Sequence, residues 1–313
     1  MGSASVKAIF QELAGTGAVS DLVALAQACR ASNLTALECA PELYTSFPTS
    51  TASELGAALV ETWACELSSS VMTQALTACK KPDNSAAFTA AEIAQSVSDN
   101  LSLLYLDSAN IPTQYGAGIN NQLKMIGLSQ GDLVTIKPAE KAMFLVISCL
   151  PGDYSPTPGS MIAALDSAYG INIATMATDM AADYRSTHHC WISKDISGYT
   201  STDVPYQQLL VFESNGSDAV ANIPGIFAGI QEYMPTPPAI PDTGPTIISA
   251  MVSTGSAGAD PSSVLEALFN SCWSLMTDGA GYNMTCFRAI VYQSSWSAAL
   301  TTTFDQLKQQ HNI

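Results

Sequence analysis

"AMFLVISCL", residues 142–150, decides how this chain folds. Every residue in it is apolar except Ser148, and polar and apolar side chains do not alternate. A half-buried strand alternates with period two. An unbroken apolar run of strand length, closed by Pro151 and Gly152, reads instead as a strand buried on both faces. Such a strand needs helices above and below its sheet, and the sequence on its C-terminal side supplies them. After the loop "PGDYSPTPGS" a helical stretch starts at Met161, with apolar residues at 162, 165, 169, 173, 176 and 180, although Gly170 weakens its middle. "HHCWISKDI" (188–196) and "QQLLVFES" (207–214) read as strands, and "SDAVANIPGIFAGIQEY" (217–233) as a helix strained at Pro224.

Beyond the loop "PTPPAIPDTGP" (235–245), strand, helix, strand and helix follow in "TIISAMV", "PSSVLEALFNSCWSLM", "MTCFRAIVYQ" and "SWSAALTTTFDQLKQQ". The order from 142 to 252 is β-α-β-β-α-β, and α-β-α completes it. The expected fold class is α+β, a mixed sheet covered by helices, spanning residues 139–313.

Residues 1–138 read as a helical region, either separate from the second or continuous with it. Three capping boxes mark helix starts: Thr35 with Glu38, Thr51 with Glu54, and Thr89 with Glu92. Around 110–131 turn residues dominate, and at most a short helix is expected there.

Composition narrows the function classes. Hydrophobic residues make up 47% of the chain, enough for a substantial core. Charged residues make up only 12%, against about 25% in an ordinary soluble domain. A surface of small polar and apolar groups can be covered by another copy of itself with little charge to desolvate. The balance is acidic, 27 Asp and Glu against 11 Lys and Arg, giving a net charge of −16. That argues against sequence-specific nucleic-acid binding, which draws on basic side chains to displace counterions from phosphates. No run of 18 apolar residues suggests a transmembrane span, and "MGSASVKAIFQEL" lacks the pattern of a signal peptide. The eight cysteines form no C-x-x-C pair and read as small buried hydrophobes, which points to a cytoplasmic or virion-like setting more than to secretion.

Candidate chemistry is sparse. "STHHCWISKD" (186–195) sets His188, His189 and Cys190 side by side, in a chain with three histidines. On a strand His188 and Cys190 share one face as parallel side chains, a poor geometry for a nucleophile and its base. Cys149 is a more distant candidate nucleophile. "VSTGSAGADPSS" (252–263) lies between strand and helix, where phosphate loops occur, but it lacks the P-loop lysine, and Asp260 before Pro261 fits a helix cap. Asp179 and Asp183, at i and i+4, read as a solvated helix face below Asp166.

No catalytic, cofactor-binding or metal-binding set is assigned, no cofactor is expected, and the chain is not expected to be an enzyme. The expectation is a self-assembling structural protein, such as a shell or capsid-like subunit, with copies of itself as partners. Two alternatives stand beside it: a secreted or injected toxin or binding protein with a membrane-active helix near 217–235, and a Cys/His-dependent hydrolase or transferase.

Overall fold

A computed structural model describes residues 8, 21–32, 34–111, 124–200, 204–215, 218–234, 246–255, 257–277, 284 and 286–313. The chain divides into two units, the first comprising Met1–Tyr105, Pro112–Leu123 and Ile136–Lys141, the second Leu106–Ile111, Lys124–Thr135 and Ala142–Ile313. The fold is α+β, helical first and then a mixed sheet with its helices.

The first unit contains α1 (Leu22–Ala31), α2 (Ala36–Ser46), α3 (Ala52–Trp63), α4 (Ser69–Ala78) and α5 (Ala90–Asn100). All three capping boxes form, each Thr hydroxyl accepting the N–H of the Glu three residues on while that Glu accepts the Thr N–H. Leu25, Leu43, Leu55, Leu59 and Trp63 are fully buried in the core, where the Trp63 indole N–H donates to the Leu34 carbonyl at 3.2 Å. Gly56 lets α3 and α5 approach closely, because a Cβ there would stand 2.3 Å from Ser96 Oγ and 2.3 Å from Met72 Cε.

The Thr35 N–H and hydroxyl, both donating to Glu38, hold that carboxyl below its ordinary value. A depressed carboxylate contributes stability that is present above the ordinary carboxylate range and lost as the pH falls through the depressed value. Thr35→Ala is therefore expected to cost about 1 kcal/mol near neutral pH. In acid-titrated denaturant melts that gap should close as Glu38 protonates, and a constant gap would refute the assignment.

The second unit is built on one eight-stranded sheet. Its strands are β1 (Leu104–Ile111), β2 (Lys124–Gln130), β3 (Ala142–Cys149), β4 (Met180–Tyr184), β5 (Cys190–Ser193), β6 (Tyr206–Glu213), β7 (Thr246–Ala250) and β8 (Cys286–Val291). They lie in the order β1-β2-β8-β7-β3-β6-β5-β4. From β2 to β6 every neighbouring pair is parallel, while β5 and β4 are antiparallel to what precedes them. The 142–150 run is thus a central strand, and Phe144 to Ile147 are fully buried.

Phe144 and Val146 face a core shared with α9 (Ala219–Asn222), α10 (Pro224–Tyr233), α11 (Pro261–Thr277) and α12 (Ser297–Gln310). Across the sheet, α6 (Met161–Tyr169) packs on β3 and is followed by α7 (Ile173–Met176), whereas α8 (Arg185–His188), between β4 and β5, packs against α10.

Three details correct the sequence reading. The 104–130 stretch, read as helix and turn, contains β1 and β2. All of β2 except Gln130 is buried, because it pairs with β8, more than 150 residues away in the sequence. The helix from Met161 stops at Tyr169, where Gly170 takes a left-handed conformation (φ 69°), and Asn172 caps a separate turn. Residues 180–184, assigned to that helix by their apolar spacing, form edge strand β4, so Asp179 and Asp183 share no helix face. The 110–131 turn region lies outside the described residues from 112 to 123, as does the 235–245 loop.

Candidate functional site

In an open parallel sheet, ligands sit outside the carboxyl ends of the strands where neighbouring connections diverge. Here β3 leads toward β6 and β7 leads toward β8, and β3 and β7 are adjacent. The divergence itself is stitched shut: the Ser253 N–H, just past β7, donates to Ser148 Oγ at 2.8 Å. Ser253 holds a left-handed φ of 60° while almost fully buried. Asp260 closes the end of this loop by accepting the Ser263 N–H and hydroxyl, each at 2.9 Å, so a carboxylate occupies the start of α11. That is the cap expected from "ADPSS", and it leaves an anion no welcome at this helix end.

The open space lies beside it. A cleft of about 360 Å³ is bounded by the β3–α6 loop at Gly152 to Pro156 and by α6 and the start of α7. Ile162, Ile171 and Ile173 give it apolar walls, and Asp153, Tyr154, Asp166 and Asn172 supply the polar groups. Among the described residues neither Lys nor Arg lines it. Asp153 is already engaged: the Ser155 hydroxyl, and then the Ser155 N–H that it accepts at 3.1 Å, lower its carboxyl below the ordinary value. Asp166 sits exposed on α6, and its carboxylate makes no hydrogen bond among the described residues.

One buried carboxylate shapes the cleft wall. Parallel register places Glu213, the last residue of β6, beside Cys149, the last of β3. Glu213 accepts the Gly152 N–H at 3.0 Å and the Tyr154 hydroxyl, pinning the loop that lines the cleft. Arg185 donates to the same Tyr154 oxygen at 3.2 Å while holding Asp183 through two further bonds, at 2.9 and 2.6 Å. Burial, then the Glu213 acceptor, pushes the Tyr154 phenol up to about 12, with Arg185 pulling the other way. The Tyr154 ring meets Trp191 edge to face at 5.9 Å. Trp191 is fully buried, and its indole N–H has no hydrogen-bond partner among the described residues. Sequence reading missed this network. Arg185, one of three arginines, and an acid at a predicted strand end were its only visible signals.

The histidine–cysteine cluster folds differently from the expected strand. Arg185–His188 form one helical turn, His189 takes a left-handed φ of 55°, and the strand begins only at Cys190. His188 pairs with Glu232 of α10 at 2.9 Å. The Cys190 thiol is buried against the Gly225 carbonyl at 3.8 Å. Burial pushes the thiols of both Cys190 and Cys149 up to about 12, so neither offers a thiolate near neutral pH. Neither thiol supports the Cys/His alternative.

The membrane-active alternative fails as well. Ile223, Ile226, Phe227 and Ile230 of the 217–235 segment are buried in the core, with Phe227 against Phe287 at 5.4 Å. No helix among the described residues is long and apolar enough to cross a membrane. Among those residues no group of three or more His, Cys, Asp or Glu is placed to hold a metal ion.

No protein-family model matches the sequence, and no curated protein is similar to it. Among solved structures the chain is similar to macrodomains. One, from Oceanobacillus iheyensis with ADP, is 10% identical over 65% of this chain and 98% of the other, with a TM-score of 0.45. Another, from Trypanosoma brucei in complex with ADP-ribose, is 13% identical over 57% of this chain and 68% of the other, with a TM-score of 0.42. The expectation of a self-assembling shell or capsid-like subunit is corrected here: the solved structures to which the chain is similar are macrodomains. At such identities and TM-scores the likeness extends to fold alone.

Proposed function

We propose that the second unit is a small-molecule-binding domain whose ligand occupies the cleft beside the carboxyl end of β3. The observation that carries this reading is the cleft itself: about 360 Å³, apolar walls, and a loop fixed in place by a buried carboxylate. This size and mixed lining suit a drug-sized ligand. Its polar groups select by charge. Asp153 and Asp166 bring negative charge with no lining cation among the described residues to offset it, which disfavours a phosphate or diphosphate and favours neutral hydroxyl-bearing or amine-bearing compounds. Asp166 is the free acceptor that would take a ligand hydroxyl or ammonium.

Calorimetric titration with adenosine, a simple polyol, a diamine and ADP-ribose tests it. Saturable binding is expected among the first three and none with ADP-ribose. Asp166→Asn should weaken that binding about ten- to a hundredfold, the loss of one hydrogen bond to a charged acceptor. The melting temperature should stay unchanged, because the Asp166 side chain is exposed. Tight ADP-ribose binding that survives or improves in Asp166→Asn would overturn the proposal, as would no binding by any of the four.

A further inference from the structure

Two of the polar side chains that line the cleft keep hydrogen-bonding capacity for a ligand, and they are of opposite kind. Asp153 and Ser155 hold each other, and Tyr154 is held by Glu213 and Arg185. Asp166 offers a carboxylate, which only accepts. Asn172 offers the complement. Its Oδ1 accepts the Thr175 N–H at 2.9 Å, capping α7. Because a backbone N–H only donates, that bond fixes which end of the amide is oxygen. The Nδ2 hydrogens are left on the other side, and they make no hydrogen bond among the described residues. Asn172 is exposed, so this donor is open to a ligand.

The end of α6 brings the two groups to one place. Gly170, left-handed at φ 69°, donates its N–H to the Asp166 carbonyl at 2.8 Å. The Ile171 N–H then returns to the Leu165 carbonyl at 3.5 Å. This helix-ending motif folds the chain back over the last turn of α6. Asn172 therefore follows directly on a residue tied to Leu165, the chain neighbour of Asp166. Ile162, Ile171 and Ile173 surround the pair with aliphatic surface. The cleft thus presents one acceptor, one donor and apolar walls.

We propose that the cleft selects a neutral polyhydroxylated ring, such as a sugar, and that Asn172 is the residue that sets hydroxyl over amine. The proposal rests on the small-molecule reading of the cleft given above. A hydroxyl both donates and accepts, so ring hydroxyls donate a hydrogen bond to Asp166 and accept one from Asn172 Nδ2. The C–H face of such a ring is apolar and meets the isoleucine side chains. An ammonium satisfies Asp166 equally well, but it carries donors alone. It would leave the Asn172 N–H groups covered and without an acceptor, which weakens binding.

Calorimetry on the full-length protein with adenosine, dideoxyadenosine and putrescine, a diamine, tests this. The wild type should bind adenosine about a hundredfold more tightly than the dideoxy analogue, which keeps the base and lacks the ring hydroxyls. Asn172→Asp retains the capping oxygen, since Asp caps as well as Asn, and exchanges the donor for an acceptor. It should weaken adenosine about tenfold and tighten putrescine about three- to fivefold. Opposite changes in one variant require an intact cleft, because a collapsed one weakens both ligands. Adenosine bound no more tightly than its dideoxy analogue, or than putrescine, would overturn the proposal and leave the cleft a binding site for another class. So would an unchanged adenosine affinity, or a loss of both ligands, in Asn172→Asp. Wild-type protein that binds none of these compounds, nor any of the four named above, would overturn the cleft reading itself. The two nucleosides on the wild type decide alone if the variant does not fold.

Discussion

A Gly225→Ala protein is expected to melt well below the parent, on the order of 4–8 °C lower. The methyl carbon would stand 2.3 Å from the carbonyl oxygen of His188, 3.0 Å from its carbon and 3.2 Å from its Cα. All three are backbone atoms, so no side chain can swing aside. Ordinary contact begins near 3.4 Å, so α10 and the 185–189 turn must separate by about 1 Å, which forfeits a quarter to a half of each dispersion contact between them. Alanine is about 1 kcal/mol better than glycine in a helix. Overpacking against unyielding neighbours costs typically 1–3 kcal/mol and occasionally more. Against backbone the upper end applies, so the clash outweighs the propensity gain, and each net kcal/mol lowers the melting temperature by about 2–4 °C in a domain of this size.

Two companions make the result specific. Gly198→Ala, with nothing within 4 Å of the new carbon, should leave the melting temperature unchanged or slightly raised. Gly229→Ala crowds the Cys190 sulfur at 2.7 Å and makes ordinary contact with Tyr184 Cδ2 at 3.6 Å and His188 Cβ at 3.9 Å, so adding Cys190→Ala should restore much of what the single change loses. Equal losses in Gly225→Ala and Gly198→Ala would show that the close approach is not what glycine serves at 225.

What the sequence discloses depends on how far each signal reaches along the chain. The three capping boxes are four-residue devices whose partners lie within one helical turn, and each appears in the structure as read. The 142–150 run likewise carries its own burial, because a strand covered on both faces needs apolar residues at every position. By contrast β2, "KMIGLSQ", has a glycine, a serine and a lysine, and only its pairing with β8 makes it a strand. Lys124 itself is buried there, with its ammonium donating to the Met276 carbonyl at 3.0 Å, a contact no local pattern announces. Residues 161–180 kept helical spacing across Gly170, and the left-handed turn at that glycine ended the helix where spacing alone continued it.

The candidate site was less legible still. Glu213, Tyr154 and Arg185 lie 59 and 31 residues apart along the chain and meet through strand register and one loop. The histidine–cysteine cluster drew notice by its composition, but its neighbours are structural: two glycines on α10, a carbonyl and Glu232. Rarity of a residue type marks a position without assigning it chemistry.

Trp191 links core stability to the cleft wall, and its substitutions separate packing from hydrogen bonding. The side chain is fully buried on β5 between Asp183 of β4 and Val211 of β6, and it carries the Tyr154 ring on its edge. Trp191→Ala removes the largest side chain of this sheet face and leaves a cavity that rigid strand neighbours close poorly, so a loss of about 3–5 kcal/mol is expected. Trp191→Phe keeps much of the apolar volume and deletes an indole N–H that has no partner among the described residues. An unsatisfied buried donor costs about 1–3 kcal/mol, so its removal offsets part of the lost packing, and the phenylalanine variant should lie within about 1.5 kcal/mol of the parent. Urea melts of the three proteins at matched pH decide the matter through their midpoints. A phenylalanine variant as unstable as the alanine one would mean that the indole N–H contributes a bond of its own. If instead the ordering holds, Tyr154 keeps its ring partner in the phenylalanine variant and loses it in the alanine one, so ligand binding in the cleft should persist in the first and fail in the second.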